Sequence, residues 1–424
     1  NRVNIVLTNK NYDKVHQEGG IPFKTIDDVM NFINKDEIKM NNIYVIGGGQ
    51  IYDLFAKHPI YKYYIDCIYW SVVHNKEQYD DSTKNNYTYF SVYDNFENFK
   101  TIEDWKMKVN GTLDISFRTL IRDEPLLVSN NKESVTHYEL QYLKIMKQLL
   151  LCPIRQTRNA FVHSSFGGKI TIDLSDNYVP LLTTKRMAWK TVIKELLWFV
   201  NGDTDNKKLM EQNVHIWDAN ASRSFLDSRG LNSYEENDLG PVYGFQWRHF
   251  GDKYINCSTN YVKGVDQLEQ IRHQLLNEPH SRRILLSAWN PADLDKMALP
   301  PCHVLTQWYV DSNNKIWMQL YQRSGDMFLG VPFNLFSYAT LIHMMAHLTG
   351  LKPGGMIHIL GDMHIYQEHQ KAVSDQLKRC PKISPKLYIN DLESKIQKWE
   401  DFQIEHFKLE EYMYHPSIKA PMIA

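Results

Sequence analysis

The sequence predicts an α/β domain with a mostly parallel sheet, followed by an α+β domain. At 424 residues, of which 43% are apolar, the chain is too long for one ordinary hydrophobic core. Near its start, a short apolar strand ends in three glycines and a helical pattern follows, which is the βα unit typical of α/β domains. A polar, turn-rich stretch then divides the chain, so we expect domains at 1–122 and 137–424 joined by a linker at 123–136.

Composition and charge argue against several classes of protein. The net charge of −1 gives no support to a nucleic-acid or membrane surface. No apolar run approaches the ~20 residues that a membrane helix needs. The five cysteines are scattered, odd in number and without CxxC spacing, which argues against a disulfide framework or a zinc site. We therefore expect a protein of a reducing compartment, the cytoplasm, without a bound metal.

The first part combines a strand, a helix and a hairpin. The strand is predicted over Val3–Thr8 and the helix over Thr25–Asn34, where Thr25 can act as the N-cap. The dipeptide Asn110-Gly111 predicts a hairpin turn. Apolar residues at helical spacing give the helix one buried stripe, formed by Ile26, Val29, Met30 and Ile33.

A second strand, Ile43–Ile46, runs into Gly47-Gly48-Gly49, and a helical pattern begins at Gln50–Ala56. This geometry can place backbone N–H groups and a helix N-terminus against a phosphate. A tight turn that needs positive φ would use the same glycines. The residues alone leave both interpretations open.

The second part contains two recognisable helices. The first is predicted over His137–Leu151, and the second is an apolar segment that starts near Asn334 and is closed by Gly350. Residues 221–236 are predicted to be an inserted surface loop. The apolar side of the first helix is predicted to consist of Leu140, Leu143, Ile145 and Leu149.

The stretch 298–334 predicts a hairpin, with two strand-like runs around the polar turn DSNN. If the turn is centred between Ser312 and Asn313, Cys302 lies opposite Arg323, and opposed residues share one face of a sheet. A guanidinium beside a thiol favours the nucleophilic thiolate. An ordinary buried Cys beside a surface Arg is the alternative for the pair taken alone.

Several polar side chains have both a functional and a structural explanation. The Asn334 amide can donate to and accept from a nucleobase edge, or it can cap the helix that follows. Glu195 lies among apolar residues, where burial would raise its pKa toward a useful value. Arg282 and Arg283 suit a phosphate if they lie in a loop, or they form a solvated basic surface.

From residue 137 onward the chain resembles thymidylate synthases along nearly its whole length. The resemblance implies an α+β domain with a sheet-mediated dimer interface. It also implies a homodimer that converts dUMP and 5,10-methylenetetrahydrofolate to dTMP and dihydrofolate. It rests on eight motifs in order, PLLTTKR, KELLWFVNGDT, NDLGPVYGFQWRHFG, SRRILLSAWNP, ALPPCH, QRSGDMFLGVPFN, GDMHIY and IKAPMIA.

The same resemblance implies roles for individual residues. Cys302 would attack C6 of the pyrimidine, Glu195 would move protons through waters, and Tyr243 would help a water remove the C5 proton. The remaining catalytic candidates are Arg323, Asn334, Asp326 and His303. The residues implied to bind dUMP are Arg158, Arg282, Arg283, Gln322, Arg323, Ser324, Asn334, His364 and Tyr366.

Three further expectations concern the implied nucleotide site and its neighbourhood. The pair Arg282 and Arg283 is implied to reach the other subunit's site. The family's R-T-G-x-G loop is replaced by TRNAFVHSSFG, so Arg155 is an alternative to Arg158. Gly325 stands where the family often has Cys, which we expect to matter little.

The resemblance implies that the pterin ring of the folate contacts Asp326 and that its glutamate tail contacts Lys185. Between them, the folate would lie in an apolar slot that includes Phe328. The terminal residues Met422–Ala424 would close over the site as a lid. The implied folate-binding residues are Lys185, Ile216, Trp217, Asp326, Gly330, Phe333 and Ala424.

The first part resembles the second half of dihydrofolate reductases, through NRVNIVLTN and IYVIGGGQIYDLF. The family often has Arg where Asn9 stands, and Lys10 could replace it at the cofactor phosphate. The reductase's catalytic carboxylate and first half are expected to precede this sequence, so we assign that role to no position. The implied NADPH-binding residues are Thr8, Asn9, Ile46, Gly47, Gly48, Gly49, Gln50, Ile51 and Tyr52.

Together, the two resemblances imply a bifunctional enzyme of the protozoan type, in which the reductase regenerates tetrahydrofolate with NADPH. One alternative is a dCMP hydroxymethylase on the same scaffold, which Asn334 opposes because a cytosine edge favours Asp. An alternative of another class is a folate- or RNA-binding scaffold without chemistry. The joint presence of Cys302, Glu195 and Asn334 argues against it. We expect dUMP, folates and NADPH as ligands, with no requirement for a metal, a membrane or a nucleic acid.

Overall fold

The structure, a computed structural model, describes residues 5–7, 12–33, 52, 54, 67–74, 99–109, 113–122, 138–157, 160–379, 381–391 and 395–423. The chain divides into two compact units, Asn1–His137 and Tyr138–Ala424. Within the described ranges, no helix is long and apolar enough to cross a membrane.

The first unit begins with two strands that pair in parallel, each followed by a helix. Asp28 donates its backbone N–H to Thr25 Oγ1 at 3.1 Å, so Thr25 caps the second helix as predicted. Ile26 and Val29 are buried, in agreement with the predicted stripe. The described elements are β1 (Ile5–Leu7), α1 (Tyr12–Gln17), β2 (Ile21–Phe23), α2 (Ile26–Ile33), β3 (Cys67–His74), β4 (Phe99–Val109) and β5 (Leu113–Arg122).

The other three strands of this unit form an antiparallel sheet in the order β3–β5–β4. The predicted hairpin is confirmed as a strand pair, because β4 and β5 are antiparallel from Val109 and Leu113 outward. The expectation of a mostly parallel sheet is wrong for these three strands. The strand Ile43–Ile46 and the glycines after it lie outside the described residues.

The second unit is built on one six-stranded mixed sheet in the order β6–β7–β11–β10–β9–β8. Its strands are β6 (Ile154–Gln156), β7 (Phe161–Asp173), β8 (Leu285–Ser287), β9 (His303–Val310), β10 (Lys315–Asp326) and β11 (Lys352–Tyr366). A separate antiparallel pair consists of β12 (Lys386–Ile389) and β13 (Phe407–Glu410). The helices are α3 (Tyr138–Leu149), α4 (Trp189–Val200), α5 (Lys207–Met210), α6 (Asp218–Ala221), α7 (Arg223–Ser228), α8 (Tyr243–His249), α9 (Gln267–Asn277), α10 (Gly330–Thr349) and α11 (Gln370–Leu377).

In this sheet β10 and β11 run parallel, because α10 carries the chain back between them. Alternate residues of the central strands are buried, among them Trp308, Met318 and Leu320. Helices α10 and α3 pack on the sheet, and α10 also packs against α4. The residues that follow the carboxyl end of β10 therefore lie next to the start of α10.

The apolar stripe of α3 differs from the prediction. Leu140 and Ile145 are only half-buried, whereas the inward side also includes a carboxylate, Glu139. Glu139 accepts hydrogen bonds from the backbone N–H and the hydroxyl of both Thr183 and Thr184, at 2.6–3.0 Å. Four donors make the burial of this polar group tolerable, so hydrophobicity alone could not reveal the buried face.

The apolar helix α10 is confirmed, and Gly350 ends it in the left-handed conformation with a φ of 69°. The structural explanation for Asn334, that of a helix cap, is wrong. The helix begins at Gly330, one turn earlier, so Asn334 lies inside the helix rather than at its N-terminus.

The β9–β10 hairpin turns over three residues rather than two. Asp311 donates its N–H to Lys315 O at 3.0 Å, and Asn314 has a φ of 56°. This is a three-residue loop with a left-handed last residue. The predicted turn centre was therefore wrong, and Trp317 lies opposite Tyr309.

A β-bulge between Tyr321 and Gln322 removes that offset at the far end of the hairpin. Beyond the bulge, Arg323 donates its N–H to Cys302 O at 2.9 Å. The predicted neighbourhood of Cys302 and Arg323 is therefore confirmed, but it depends on the bulge.

The segment 221–236 is not a surface loop as predicted. It contains α7, capped by Ser222, and it buries Leu226 and Leu231. Arg223 closes the segment by donating to Leu231 O and Tyr234 O. Two buried leucines anchor this segment to the core, while many of its other residues are exposed.

Candidate active site

Cys302 lies directly before β9, where the Arg323 side chain approaches it. The guanidinium donates from Nε to Pro301 O at 2.8 Å and from Nη2 to Pro300 O at 3.0 Å. These contacts hold Nη2 4.0 Å from Cys302 Sγ. Burial raises the pKa of the Cys302 thiol, and the positive charge of Arg323 opposes that rise. The thiolate therefore has a fixed cation beside it when it forms.

Tyr243, the first residue of α8, reaches the start of β9 with its hydroxyl group. Its Oη accepts hydrogen bonds from the backbone N–H of Cys302 at 2.7 Å and of His303 at 3.3 Å. Its ring stacks on the His303 imidazole, with 5.0 Å between centroids. Burial raises the pKa of Tyr243, so the hydroxyl keeps its proton. Since the oxygen already accepts from two N–H groups, that proton is left to donate.

Glu195 lies in α4, on the side of the helix that packs into the core. Its Oε1 accepts a hydrogen bond from Trp217 Nε1 at 2.8 Å. Burial raises the pKa of Glu195 to about 7, although the hydrogen bond from Trp217 acts against the rise. A carboxyl group that titrates near neutral pH can both give and take protons.

The Asn334 amide is held by a neighbouring amide on β10. Gln322 Nε2 donates to Asn334 Oδ1 at 3.0 Å and to Ser324 O at 2.9 Å. On its other side, Gln322 Oε1 lies 2.9 Å from His358 Nε2. Asn334 is therefore held through its oxygen by Gln322, and its side chain also interacts with that of His303.

Asp326 ends β10 and organises the turn that leads into α10. Its Oδ1 accepts from the N–H of Phe328 at 2.9 Å and of Leu329 at 3.3 Å. Gly330 lies beside it, since a Cβ on Gly330 would come 3.7 Å from Asp326 Cβ and 4.0 Å from Asn334 Oδ1. The turn therefore places the Asp326 carboxylate and the Asn334 amide on either side of one glycine.

Lys185 is buried beneath that turn. Its Nζ donates to Phe328 O and lies 3.7 Å from the centroid of the Phe328 ring. Burial lowers the pKa of Lys185 to about 7, and the negative charges of Asp326 and Glu139 act against the fall. In this structure Lys185 supports the Phe328 turn, and its contact with a glutamate tail remains a prediction.

His364 and Tyr366 project from the same side of β11, as their spacing predicted, with 5.2 Å between ring centroids. His364 Nδ1 lies 3.1 Å from Asp362 Oδ1, and Arg155 of β6 forms an ion pair with Asp362. Burial acts to raise the pKa of Asp362, but His364 and Arg155 outweigh it and leave the pKa below its usual value. Arg155 thus already has a carboxylate partner in the chain.

Arg282 and Arg283 form an exposed turn directly before β8. The structure gives neither of them a hydrogen bond or ion pair from its side chain to another described residue. Ile216 and Phe333 are half-buried against the core. Arg158 and Ala424 lie outside the described residues, as do all the predicted NADPH-binding positions except Tyr52, whose own backbone is helical.

Three residues of this region escaped the sequence reasoning. His358 contacts Gln322, Asp362 joins Arg155 to His364, and His369 contacts the turn at Asp326. Their sequence signal was weak, because an isolated His or Asp in an apolar strand has many structural explanations. Among the described residues, no group of three or more His, Cys, Asp or Glu side chains is placed to hold a metal ion.

A family model described as thymidylate synthase matches residues 140–424. The chain belongs to the thymidylate synthase family. The thymidylate synthase of Homo sapiens is 52% identical to it over 289 residues, which cover 68% of this chain and 91% of that protein. All the catalytic candidates of the second unit fall within the matched range.

The similarity of this thymidylate synthase family member to bifunctional proteins extends further. The bifunctional dihydrofolate reductase-thymidylate synthase of Zea mays is 36% identical over an alignment of 465 positions, gaps included. This alignment covers 99% of this chain and 84% of that protein. The bifunctional protein of Leishmania major is 46% identical over 290 residues, or 68% of this chain and 55% of that protein. The chain is therefore an enzyme whose relatives include bifunctional proteins, and the maize similarity spans both units.

Proposed function

We propose that the second unit makes dTMP and dihydrofolate from dUMP and 5,10-methylenetetrahydrofolate through a covalent adduct with Cys302. The thiolate forms a bond to C6 of the uracil, and the C5–C6 π electrons move to C5 and O4 as an enolate. That carbanion attacks the methylene carbon of the folate, and the bond from this carbon to one folate nitrogen breaks as that nitrogen takes a proton. When the C5 proton leaves, its electron pair expels the second folate nitrogen and leaves an exocyclic methylene group on the base. The tetrahydrofolate so released gives hydride to that methylene group and becomes dihydrofolate, while the Cys302 thiolate leaves C6.

The observation that carries this proposal is that Arg323 and Tyr243 both contact Cys302, with Glu195 close to Tyr243. Arg323 Nη2 lies 4.0 Å from the thiol, and Tyr243 Oη is held by the N–H groups that flank it. Glu195, with a pKa of about 7, lies within electrostatic influence of Tyr243. A nucleophile, a cation and two proton-carrying groups are what an addition and proton removal at one ring require.

Base recognition is proposed for Asn334. With Oδ1 held by Gln322, its Nδ2 donates to uracil O4, where the enolate charge develops. A cytosine has an amino group at that position, which would place one N–H donor against another, the Asn334 NH₂ group. This argues for dUMP over dCMP, and against a dCMP hydroxymethylase.

The proposed nucleotide site is completed by charge and sugar contacts. Arg323 meets the phosphate, and His364 and Tyr366 meet the deoxyribose hydroxyl. Arg158, or Arg155 if it exchanges its Asp362 partner, supplies a further phosphate contact. Gln322 and Ser324 are further proposed contacts of dUMP, and His303 supports the catalytic groups.

The exposed pair Arg282 and Arg283 supports the proposal of a homodimer with shared sites. Its guanidinium groups are directed to no described residue of their own chain. Near the turn of the β9–β10 hairpin, Tyr309 is 59% exposed and pairs with Trp317 on β10. An exposed aromatic side chain on the sheet suits contact with a second copy, through which the arginine pair would reach a neighbouring phosphate.

The folate is proposed to lie over the turn at Asp326. The Asp326 carboxylate accepts from the pterin ring, while Ile216, Trp217, Phe328 and Phe333 form an apolar slot near Gly330. Lys185 would meet the glutamate tail, and Met422–Ala424 would close the site. Exclusion of water protects the methylene intermediate, which must react with hydride rather than solvent.

For the first unit we propose a dihydrofolate reductase that regenerates tetrahydrofolate with NADPH, in a domain at 1–122 joined by a linker at 123–136 to the synthase domain at 137–424. The proposed NADPH contacts are the positions given above from Thr8 to Tyr52. The support is the resemblance of both segments and the similarity to the maize protein across both units.

The experiment is a spectrophotometric assay of dihydrofolate formation by the full chain, with dUMP or dCMP as substrate. We expect dihydrofolate release with dUMP and little with dCMP. Consumption of dCMP without dihydrofolate release would favour the hydroxymethylase, because water rather than hydride would then add to the methylene group and the folate would leave as tetrahydrofolate. Tight nucleotide and folate binding without turnover would favour the scaffold without chemistry.

A further inference from the structure

A buried histidine lies at the far end of the hydrogen-bond chain that holds Asn334. His358, on β11, is fully buried, and its Nε2 lies 2.9 Å from Gln322 Oε1. In the parallel β10–β11 pair, His358 lies opposite Leu320, two residues before Gln322 on the same side of β10. His358, Gln322 and Asn334 thus form one continuous chain between the sheet and α10.

A backbone carbonyl fixes the direction of this chain. Ser324 O can only accept, so the Gln322 atom 2.9 Å away must be the amide nitrogen. The same nitrogen faces Asn334, which must therefore present Oδ1. The remaining Gln322 atom is the oxygen, so His358 must carry its proton on Nε2.

We propose that His358 is a positioning residue for base recognition, whose Nε2–H holds the Gln322 amide and thereby keeps the Asn334 NH₂ group directed at a 4-oxopyrimidine. This proposal rests on the proposed role of Asn334 in reading the base. The Nδ1 atom of His358 has no hydrogen-bond partner among the described residues, so Gln322 is the polar contact that the imidazole makes. Burial lowers the pKa of His358 to about 3, which keeps the ring neutral with a single N–H to give.

Without that donor, Gln322 Oε1 would be buried and unsatisfied, and only Ser324 O would resist rotation of the Gln322 amide. A rotated Gln322 would offer oxygen to Asn334, whose amide would turn over in response. The face presented to the base would then suit the amino group of cytosine. His358 therefore acts on nucleotide selectivity without touching the nucleotide.

The test compares His358→Gln with His358→Met in the full chain. The two side chains have similar reach, and only Gln keeps an N–H donor. The measured quantity is the ratio of kcat/KM for dUMP to that for dCMP. We expect His358→Met to lower this ratio about tenfold relative to the wild type, which is the effect of one orienting hydrogen bond. The ratio of His358→Gln should stay within about twofold of the wild-type ratio.

A matched control is His343→Met, since His343 is a buried histidine of α10 outside this chain of contacts. The ratio of kcat/KM for dUMP to that for dCMP in His343→Met should stay near that of the wild type. An unchanged ratio in His358→Met would overturn the proposal, and so would an equal loss in His358→Gln or in His343→Met. If His358→Met does not fold, His358→Asn replaces it, because its shorter amide cannot reach Gln322.

A second measurement does not depend on turnover. In the chain labelled with ¹⁵N-histidine, the signal missing from His358→Gln identifies His358 among the 17 histidines. We expect a protonated Nε2 and a bare Nδ1, and the opposite tautomer would overturn the proposal. If the wild type shows no turnover or binding of dUMP, the proposed function fails, and the tautomer still decides whether His358 holds Gln322.

Discussion

Trp217 donates a hydrogen bond of 2.8 Å to Glu195. This bond lowers the pKa of the Glu195 carboxyl, which burial raises. Trp217→Phe keeps an aromatic ring and removes the donor, so the pKa of Glu195 should rise above 7. A ¹³C NMR titration of glutamate-labelled chain measures it, with Glu195→Gln to assign the signal. A pKa that stays at or below the wild-type value in Trp217→Phe would contradict this account.

The raised pKa of Glu195 also predicts how stability depends on pH. The native state keeps a proton that the unfolded chain releases above its ordinary pKa of 4.5. Stability therefore falls as pH rises from 4.5 to about 7 and levels off above that value. Between pH 5 and pH 8 this group should remove roughly 2 kcal/mol from the free energy of unfolding.

Urea unfolding of the wild type and of Glu195→Gln at both pH values checks the stability prediction. Gln does not titrate, so the stability of the variant relative to the wild type should increase with pH. A difference that is constant from pH 5 to pH 8, or that shrinks, would exclude a carboxyl titrating near neutral pH at this position.

Cys302→Ser tests the nucleophile. A serine hydroxyl is far less acidic than a thiol, and Arg323 at 4.0 Å cannot ionise it, so dTMP formation should fall more than about 1000-fold. Nucleotide binding, measured by calorimetry, should change little because the proposed phosphate and base contacts remain. Turnover near the wild-type rate would eliminate Cys302 as the attacking group.

Shared sites predict complementation between two inactive chains. A Cys302→Ser chain keeps its arginine pair, and an Arg282→Ala/Arg283→Ala chain keeps its thiol. In a mixed dimer, one site then has both an intact Cys302 and an intact partner arginine pair. Random mixing should restore about a quarter of the wild-type activity. Verified mixed dimers without activity would mean that each chain builds its site alone.

Local patterns predicted the elements whose causes are local. Thr25 caps its helix and Gly350 ends α10, because capping depends on a residue and its immediate neighbours. The Cys302–Arg323 neighbourhood was also predicted, but its register depends on a bulge between Tyr321 and Gln322 that no sequence pattern indicated. On β9 the extra residue is Val304, which has no partner on β10 and shifts the pairing beyond it.

Contacts between distant segments could not be predicted from single residues. Glu139 is buried because Thr183 and Thr184 supply four donors, and Lys185 is buried because the carbonyl of Phe328 lies above it. Each of these polar side chains would be exposed without its partner. Their burial is a property of the assembled fold rather than of their own sequence neighbourhood.

His369 joins the turn at Asp326 to the C-terminal segment. Its Nε2 lies 2.7 Å from Pro421 O, which can only accept, so Nε2 carries the proton, and its Nδ1 lies 3.8 Å from Asp326 Oδ1. Its ring also contacts Phe328 and Tyr366, with 5.4 Å between centroids in each case. The C-terminal segment is therefore tethered to the turn where we place the folate.

His369→Phe keeps an aromatic ring of similar size and removes the N–H that holds Pro421 O. The C-terminal segment should then leave the folate site more often, so the KM for the folate should rise about tenfold, the effect of one lost hydrogen bond. The dissociation constant of dUMP should stay within about twofold, because Phe keeps the ring contact with Tyr366, a proposed nucleotide contact. His369→Gln keeps an N–H donor of similar reach and serves as the control, with a folate KM near the wild-type value. If His369→Phe leaves the folate KM unchanged, or weakens dUMP equally, then the tether does not control closure, and packing of the last residues must do so without it.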